Sequence, residues 1–176
     1  MNRKPCLINS HNNYLGNINL CGYYKTSDNS IISIRYTEFP EQERYESFLY
    51  SYIKRYDYIF LLYDISNKSS FNRCKHYSEY IKTFYEGKVM LIGNKKDLEC
   101  SRQISFEEAN NFALSNNYIY METSCKNNEN VYESFEKVVE ITLNERKKRE
   151  KKRENEISNK KKNIKFDKKK NECIII

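Results

Sequence analysis

The chain contains a short apolar run, Val89–Ile92, that ends at Gly93 and leads directly into the polar turn Asn94-Lys95-Lys96-Asp97. An uninterrupted apolar run of this length is typical of a strand that is covered on both faces in a parallel sheet. Open sheets of this kind bind their ligands just beyond the carboxyl ends of their strands. The turn is therefore a candidate ligand site, although four polar residues in a turn also fit an ordinary surface loop.

The side chains of this turn suit one nucleic-acid base in particular. The Asp97 carboxylate can accept two hydrogen bonds from the N1–H and the amino group of guanine, whereas adenine lacks that pair of donors. The stem of Lys95 can lie over the flat face of the base, and Asn94 can brace the neighbouring loop. The turn therefore predicts selection of guanine.

Strands and helices alternate along most of the chain. A second apolar run, Tyr58–Tyr63, predicts a central strand that ends before Asp64, and Tyr118–Met121 predicts a further strand. Alternation at this spacing favours a parallel sheet with right-handed crossovers. Three helices are predicted beside these strands: one with the apolar residues Phe71, Cys74, Ile81 and Phe84 and a stop at Gly87, one capped by Ser105 with Ala109, Phe112 and Ala113 inward, and one that starts near Asn130.

The first part of the chain is less regular. Gly16–Tyr24 and Ile31–Arg35 predict a hairpin, and Tyr45–Tyr56 predicts a helix. We expect a domain over residues 16–145, preceded by an irregular segment, 1–15, and followed by a polybasic tail, 146–176.

A second polar loop follows the Tyr118–Met121 strand and reads Glu122-Thr123-Ser124-Cys125-Lys126-Asn127. It lies one strand–helix unit beyond the first turn, so the two loops are expected to leave the same edge of the sheet. Backbone N–H groups around Ser124 and Cys125 can hold the guanine O6, and Lys126 can flank the base. Two base-reading loops at this separation are a more specific signal than one.

These two loops, together with Tyr63-Asp64-Ile65-Ser66, resemble the Ras superfamily of small GTPases. The Rab branch is most similar, because its consensus reads Tyr-Asp, Asn-Lys-x-Asp-Leu and Glu-Thr-Ser-Ala-Lys at these points; Cys125 replaces the alanine. The resemblance covers about residues 16–143. It implies an α/β fold of the P-loop NTPase type, a mostly parallel sheet with helices on both faces, GTP or GDP as ligand, and Rab-type effectors and regulators as partners.

The phosphate-binding part of the family's site is missing from this sequence. No Gly-x-x-x-x-Gly-Lys-Ser/Thr loop occurs, so the first strand and helix are missing or degenerate. The stretch that corresponds to the second switch, Tyr36–Arg44, contains Gln42, which resembles the water-positioning glutamine, but Tyr36 replaces the metal-linked aspartate. Because phosphoryl transfer depends on these groups, we expect Mg²⁺ binding to be doubtful and GTP hydrolysis to be absent or very slow.

The loss of the first strand would leave two central strands with unpaired backbone groups. Either Pro5–Ile8 supplies a short substitute strand, or the sequence lacks an upstream segment. A non-catalytic scaffold, a pseudo-GTPase without nucleotide control, is the alternative to a membrane-anchored Rab-like switch in vesicle traffic.

The net charge of +7 is concentrated in the tail, where residues 146–172 carry fourteen Lys or Arg against five acids, a net of +9. The chain ends Cys173-Ile174-Ile175-Ile176, a cysteine followed by two aliphatic residues and one terminal residue, which matches a prenylation box. A lipid chain and a basic segment together favour an anionic membrane surface over nucleic acid. We expect a location on the cytoplasmic face of an intracellular membrane, with a soluble cytosolic pool. The spacing of the six cysteines predicts neither a disulfide framework nor a metal site.

Overall fold

The computed structural model describes the backbone of residues 6–12, 18–25, 31–38 and 53–168, and the side chains of 33–38 and 53–158. The chain divides into two compact units, Met1–Tyr132 and Glu133–Ile176. In chain order the described elements are β1 (Cys6–Asn12), β2 (Ile18–Lys25), β3 (Ile31–Thr37), β4 (Tyr58–Asp64), α1 (Lys68–Phe84), β5 (Lys88–Asn94), a 3-10 helix (Lys96–Ser101), α2 (Phe106–Ser115), β6 (Ile119–Glu122) and α3 (Val131–Lys168).

The three N-terminal strands form an antiparallel sheet in the order β1-β2-β3. Strands β2 and β3 confirm the predicted hairpin, with Lys25 opposite Ile31 at its closed end. Residues 6–12, expected to be irregular, form a strand instead. It pairs with β2 in the antiparallel sense and so does not take the central position of a substitute first strand.

The three later strands form a parallel sheet in the order β4-β5-β6. Tyr63 of β4 lies opposite Gly93 of β5, and Gly93 lies opposite Glu122 of β6. The predicted parallel strands are therefore confirmed.

The parallel pairing is confined to this second sheet. Strands β3 and β4 belong to different sheets, and none of the described strands pairs with both. The expected parallel sheet with helices is confirmed in β4–β6, and the described N-terminal strands form a separate antiparallel sheet. This separation agrees with the expectation that the first strand is missing or degenerate.

Helix α1 begins after Asn67, whose side chain accepts hydrogen bonds from the Ser69 and Ser70 N–H groups. Its residues Phe71, Cys74 and Ile81 are buried in one apolar cluster with residues of β4 and β5. The inward prediction is wrong for Phe84, which is 38% exposed, because the helix ends at that residue and leaves its side chain at the rim.

Helix α2 confirms the predicted cap. The Ser105 side chain accepts a hydrogen bond from the Glu108 N–H at 3.0 Å, which satisfies one of the free donors of the first turn. Ala109 and Ala113 are fully buried in the same cluster as α1, and the predicted inward face of α2 is confirmed at these two residues.

Helix α3 is longer than the sequence pattern indicates. It runs without a break from Val131 through the basic run to Lys168, and the side chains of residues 146–158 are all exposed. A helix so polar on every side depends on local charge pairs such as Glu145–Arg149, at 4.0 Å. No helix in the described part of the chain is long and apolar enough to cross a membrane.

Candidate functional site

The three parallel strands end at one edge of their sheet. Asp64 is the last residue of β4, Asn94 of β5 and Glu122 of β6, and a polar loop follows each of them. Backbone hydrogen bonds join the loops: the Lys96 N–H donates to Thr123 O at 3.0 Å, and the Ile65 N–H donates to Asn94 O at 3.1 Å. The prediction that the two polar loops leave the same edge is confirmed.

Asp97 is held in place by groups from the second loop. The Ser124 hydroxyl donates to Asp97 Oδ1 at 2.5 Å, and the Lys126 ammonium lies 3.9 Å from Oδ2. The Asp97 side chain is 11% exposed, whereas that of Lys126 is 77% exposed. A carboxylate has more acceptor positions than these contacts use, so Asp97 retains the capacity to accept further hydrogen bonds.

Asn94 confirms its predicted bracing role. Its Oδ1 accepts a hydrogen bond from the Thr123 hydroxyl at 3.2 Å and a weaker one from the Cys125 thiol at 3.6 Å. Because both donors belong to the loop after β6, this side chain links the two loops directly.

Lys95 has an ion-pair partner that the sequence did not predict. Its ammonium pairs with Asp64 Oδ2 at 2.7 Å, and the backbone has a φ of 62°, a left-handed conformation that is uncommon for a residue with a side chain. The hydrogen bond and charge of Asp64 raise the pKa of Lys95. Burial alone would raise the pKa of Asp64, but hydrogen bonds from Lys95 and Ser66 outweigh it and lower that pKa.

Ser124 and Cys125 contribute in different ways. The Ser124 N–H donates to Glu129 O at 3.0 Å and so serves the loop itself, whereas the holding of a guanine O6 by N–H groups around Ser124 and Cys125 stays a prediction. The Cys125 N–H has no acceptor among the described residues and remains suited to that role, with an exposed thiol beside it. The loop is closed by a return bond from the Glu129 N–H to Ser124 O at 2.9 Å.

An ion pair between a partly buried arginine and a buried glutamate adjoins the two loops and was missed by the sequence reasoning. Arg102 donates to both carboxylate oxygens of Glu122, at 2.7 and 2.9 Å, and also to both oxygens of Glu99. Burial would raise the pKa of Glu122, but the hydrogen bonds from Arg102 and Tyr120 outweigh it and lower that pKa. Glu122 begins the second loop and could have been considered with it. Its pairing with Arg102 depends on the register of the folded strands, which a sequence pattern does not specify.

Two predicted site residues, Gln42 and Cys173, lie outside the described residues, as does the Tyr36–Arg44 stretch beyond residue 38. Asn94, Lys95, Asp97, Ser124, Cys125 and Lys126 all lie at the one sheet edge. Among the residues that the structure describes, no group of three or more His, Cys, Asp or Glu is arranged to hold a metal ion.

Comparison with known proteins agrees with this geometry. A model of the Ras family matches residues 24–144, well over half of the chain, and the chain therefore belongs to the Ras family. Within that family it is Rab-like. It is 39% identical to the Ras-related protein Rab-17 of Mus musculus over 105 residues, which is 58% of this chain and 49% of that protein.

Two further relatives belong to the same branch. The chain is 38% identical to Rab-3C of Bos taurus over 102 residues, which is 57% of this chain and 45% of that protein. It is 36% identical to Rab-3A of Homo sapiens over 102 residues, which is 57% of this chain and 46% of that protein. The chain therefore spans about half the length of the curated relatives that it matches.

Proposed function

We propose that the chain binds guanine nucleotides through the loops that follow β5 and β6. The observation that carries the proposal is the position of Asp97, whose carboxylate is fixed by Ser124 yet keeps free acceptor capacity at the sheet edge. The Cys125 N–H, which no described group uses, supplies a donor for the guanine O6. An acceptor and a donor of this kind match the polar edge of guanine and not that of adenine.

In the bound state each residue has a separate task. Asp97 accepts the two guanine donors, Asn94 keeps the second loop against the first, and Lys95, held by Asp64, lies beside the base. The sequence contains no glycine-rich loop with its lysine to hold the phosphates of a bound GTP or GDP. Hydrolysis of GTP by this chain is therefore absent or very slow, because the protein's part in that reaction is mainly to position and stabilise the phosphates.

Competition between bases tests the proposal. In an NMR titration of the isotope-labelled chain, GDP should shift the amide signals of Ser124, Cys125 and Lys126, whereas ADP at the same concentration should leave them in place. Equal shifts with both nucleotides would show that phosphate or nonspecific contacts dominate, and would contradict recognition of the base.

A non-catalytic scaffold is the second candidate. It is favoured by one specific feature, the absence of a phosphate-binding motif from a chain with otherwise recognisable base-reading loops. A folded chain in which neither GDP nor GTP shifts any amide would support the scaffold and exclude the nucleotide-controlled switch.

The C-terminal part of the chain is proposed to act as a membrane anchor in vesicle traffic. Residues 146–158 of α3 are exposed and strongly basic, and each Lys or Arg near an anionic leaflet contributes roughly 1 kcal/mol of attraction. A single prenyl chain on Cys173 gives only marginal binding, so the basic segment serves as the second signal. The proposed partners are Rab-type effectors and regulators at the cytoplasmic face of an intracellular membrane.

Replacing the proposed lipidation site tests the anchor. Cys173→Ser should move the protein from the membrane fraction to the soluble fraction. The remaining attraction to the leaflet, about 1 kcal/mol per basic residue, is reduced by salt and tail entropy and does not replace the lipid chain. Cys100→Ser, which alters an exposed cysteine of the 3-10 helix, is the matched control and should leave the distribution unchanged. If Cys173→Ser remains in the membrane fraction, lipid anchoring at this residue is wrong.

A further inference from the structure

A row of side chains crosses the parallel sheet directly behind the base-reading loops. Tyr63 and Glu122 lie on the two strands that flank β5, and both are in register with Gly93. A Cβ at Gly93 would come within 2.8 Å of the Tyr63 hydroxyl oxygen, so only glycine leaves room for the tyrosine to pass over the central strand.

This passage brings two hydroxyl groups together. The Tyr63 and Tyr120 oxygens are 2.8 Å apart, and the Tyr120 hydroxyl donates to Glu122 Oε1 at 2.7 Å. Since Tyr120 donates to the carboxylate, Tyr63 must donate to Tyr120. The resulting chain of hydrogen bonds runs from β4 over Gly93 to β6, and burial raises the pKa of Tyr63 to about 12.

Arg102 extends this chain to the first base-reading loop. It follows the 3-10 helix that begins after Lys95, and it donates to both oxygens of Glu122. Glu122 immediately precedes Thr123, whose N–H donates to Gly93 O at 2.8 Å and whose carbonyl accepts from the Lys96 N–H. The Arg102–Glu122 pair therefore lies next to the point where the two loops are joined.

We infer that Tyr63, Tyr120, Glu122 and Arg102 form one network of positioning residues that sets the two base-reading loops against each other. Each hydrogen bond of the chain fixes the next, because the hydroxyl of Tyr120 can point only one way while it serves both Tyr63 and Glu122. The inference deepens the proposed function, since it assigns positioning residues to the same site, but the network exists whether or not nucleotide is bound.

Two tyrosines give a matched pair of variants for the test. Tyr120→Phe removes the hydroxyl that links Tyr63 to Glu122. Tyr118→Phe removes the hydroxyl of a second inward tyrosine, which is 2.9 Å from the Ser78 hydroxyl and takes no part in the network. Tyr120→Phe loses two hydrogen bonds and Tyr118→Phe loses one, so their global stabilities can differ. The loop amides are therefore judged relative to the amides of α1 in the same variant.

Amide hydrogen exchange in the nucleotide-free chain separates positioning from stability. Tyr120→Phe should speed exchange at the Lys96 and Thr123 amides by about fivefold relative to amides of α1, the equivalent of one hydrogen bond. Tyr118→Phe should leave that ratio unchanged. Equal ratios in the two variants would overturn the inference. If Tyr120→Phe fails to fold, Tyr63→Phe breaks the same link from the other side and is judged by the same ratio.

A second measurement keeps this inference distinct from nucleotide binding. If the chain binds GDP, Tyr120→Phe should weaken its affinity by about fivefold, and Tyr118→Phe should not. Loop amides that respond to Tyr120→Phe in a chain that binds no GDP would uphold the network and contradict the proposed function. Unchanged loop amides in a chain that binds GDP would contradict the network alone.

Discussion

Asp97→Asn should reverse the base preference of the chain from guanine to xanthine. The asparagine carbonyl can still accept from the base N1–H, but its amino group then faces the amino group of guanine, donor against donor. Xanthine carries a carbonyl at that position and accepts from the asparagine instead. A hydrogen bond to a charged group contributes about 1.5–3 kcal/mol, so GDP affinity should fall roughly 10- to 150-fold while affinity for xanthosine diphosphate rises.

Competitive titration with the two diphosphates measures this reversal. The surroundings of Asp97 favour a clean result, because the Ser124 hydroxyl that donates to it can donate equally to an amide carbonyl. Glu86→Gln makes the same chemical change at an exposed residue just before β5, at the opposite end of that strand, and serves as control. Equal losses for both diphosphates in Asp97→Asn would indicate damage to the loop and would contradict base reading by Asp97.

Phe71→Ala should be among the most destabilising single changes in the described part of the chain. The Phe71 side chain is fully buried. The centroid of its ring lies 4.8 Å from that of Tyr63 and 5.6 Å from that of Phe112, and the Lys75 ammonium lies 4.5 Å from the Phe71 ring centroid. Truncation of such a residue leaves a cavity and costs about 3–5 kcal/mol. That is a large part of the 5–15 kcal/mol by which domains are typically stable.

Urea unfolding gives the size of this loss. Phe106→Ala is the matched control, because the same atoms are removed from a side chain that is 51% exposed. It should cost about 1 kcal/mol or less, with the slope of the transition unchanged in both variants. Similar losses in Phe71→Ala and Phe106→Ala would mean that Phe71 is not central to the core.

The fold features that the sequence predicts best are those set by local patterns. The apolar runs of β4 and β5 lie at the predicted positions, because a run that is apolar on both faces has few alternatives to a covered strand. The Ser105 cap is likewise a short-range effect that depends on four consecutive residues. Helix α3 exceeded the prediction since a polar stretch without a stop signal leaves its end undetermined.

The site was predicted as a set of residues but not as a set of contacts. Asn94 braces the second loop as expected, whereas Lys95 turns to Asp64, and the Ser124 N–H is already used by Glu129 O. These partners are brought together by strand register and by the left-handed backbone at Lys95, neither of which a linear pattern specifies. The tyrosine passage over Gly93 is similar, because it requires knowledge of which residues of three strands are opposite one another.

The most direct test of the central claim is a comparison of guanosine with GDP in the same NMR titration of the unmodified chain. The chain has the two proposed base-reading loops, and its sequence contains no glycine-rich phosphate-binding motif, so we expect most of the binding energy to come from the base. We predict that guanosine and GDP shift the Ser124–Lys126 amides with affinities within about threefold of each other, because no phosphate loop in the sequence would strengthen the binding of GDP. A helix terminus and a lysine that bind phosphates can together supply a gain of about a hundredfold. Binding of GDP that exceeds that of guanosine by more than this factor would contradict the account.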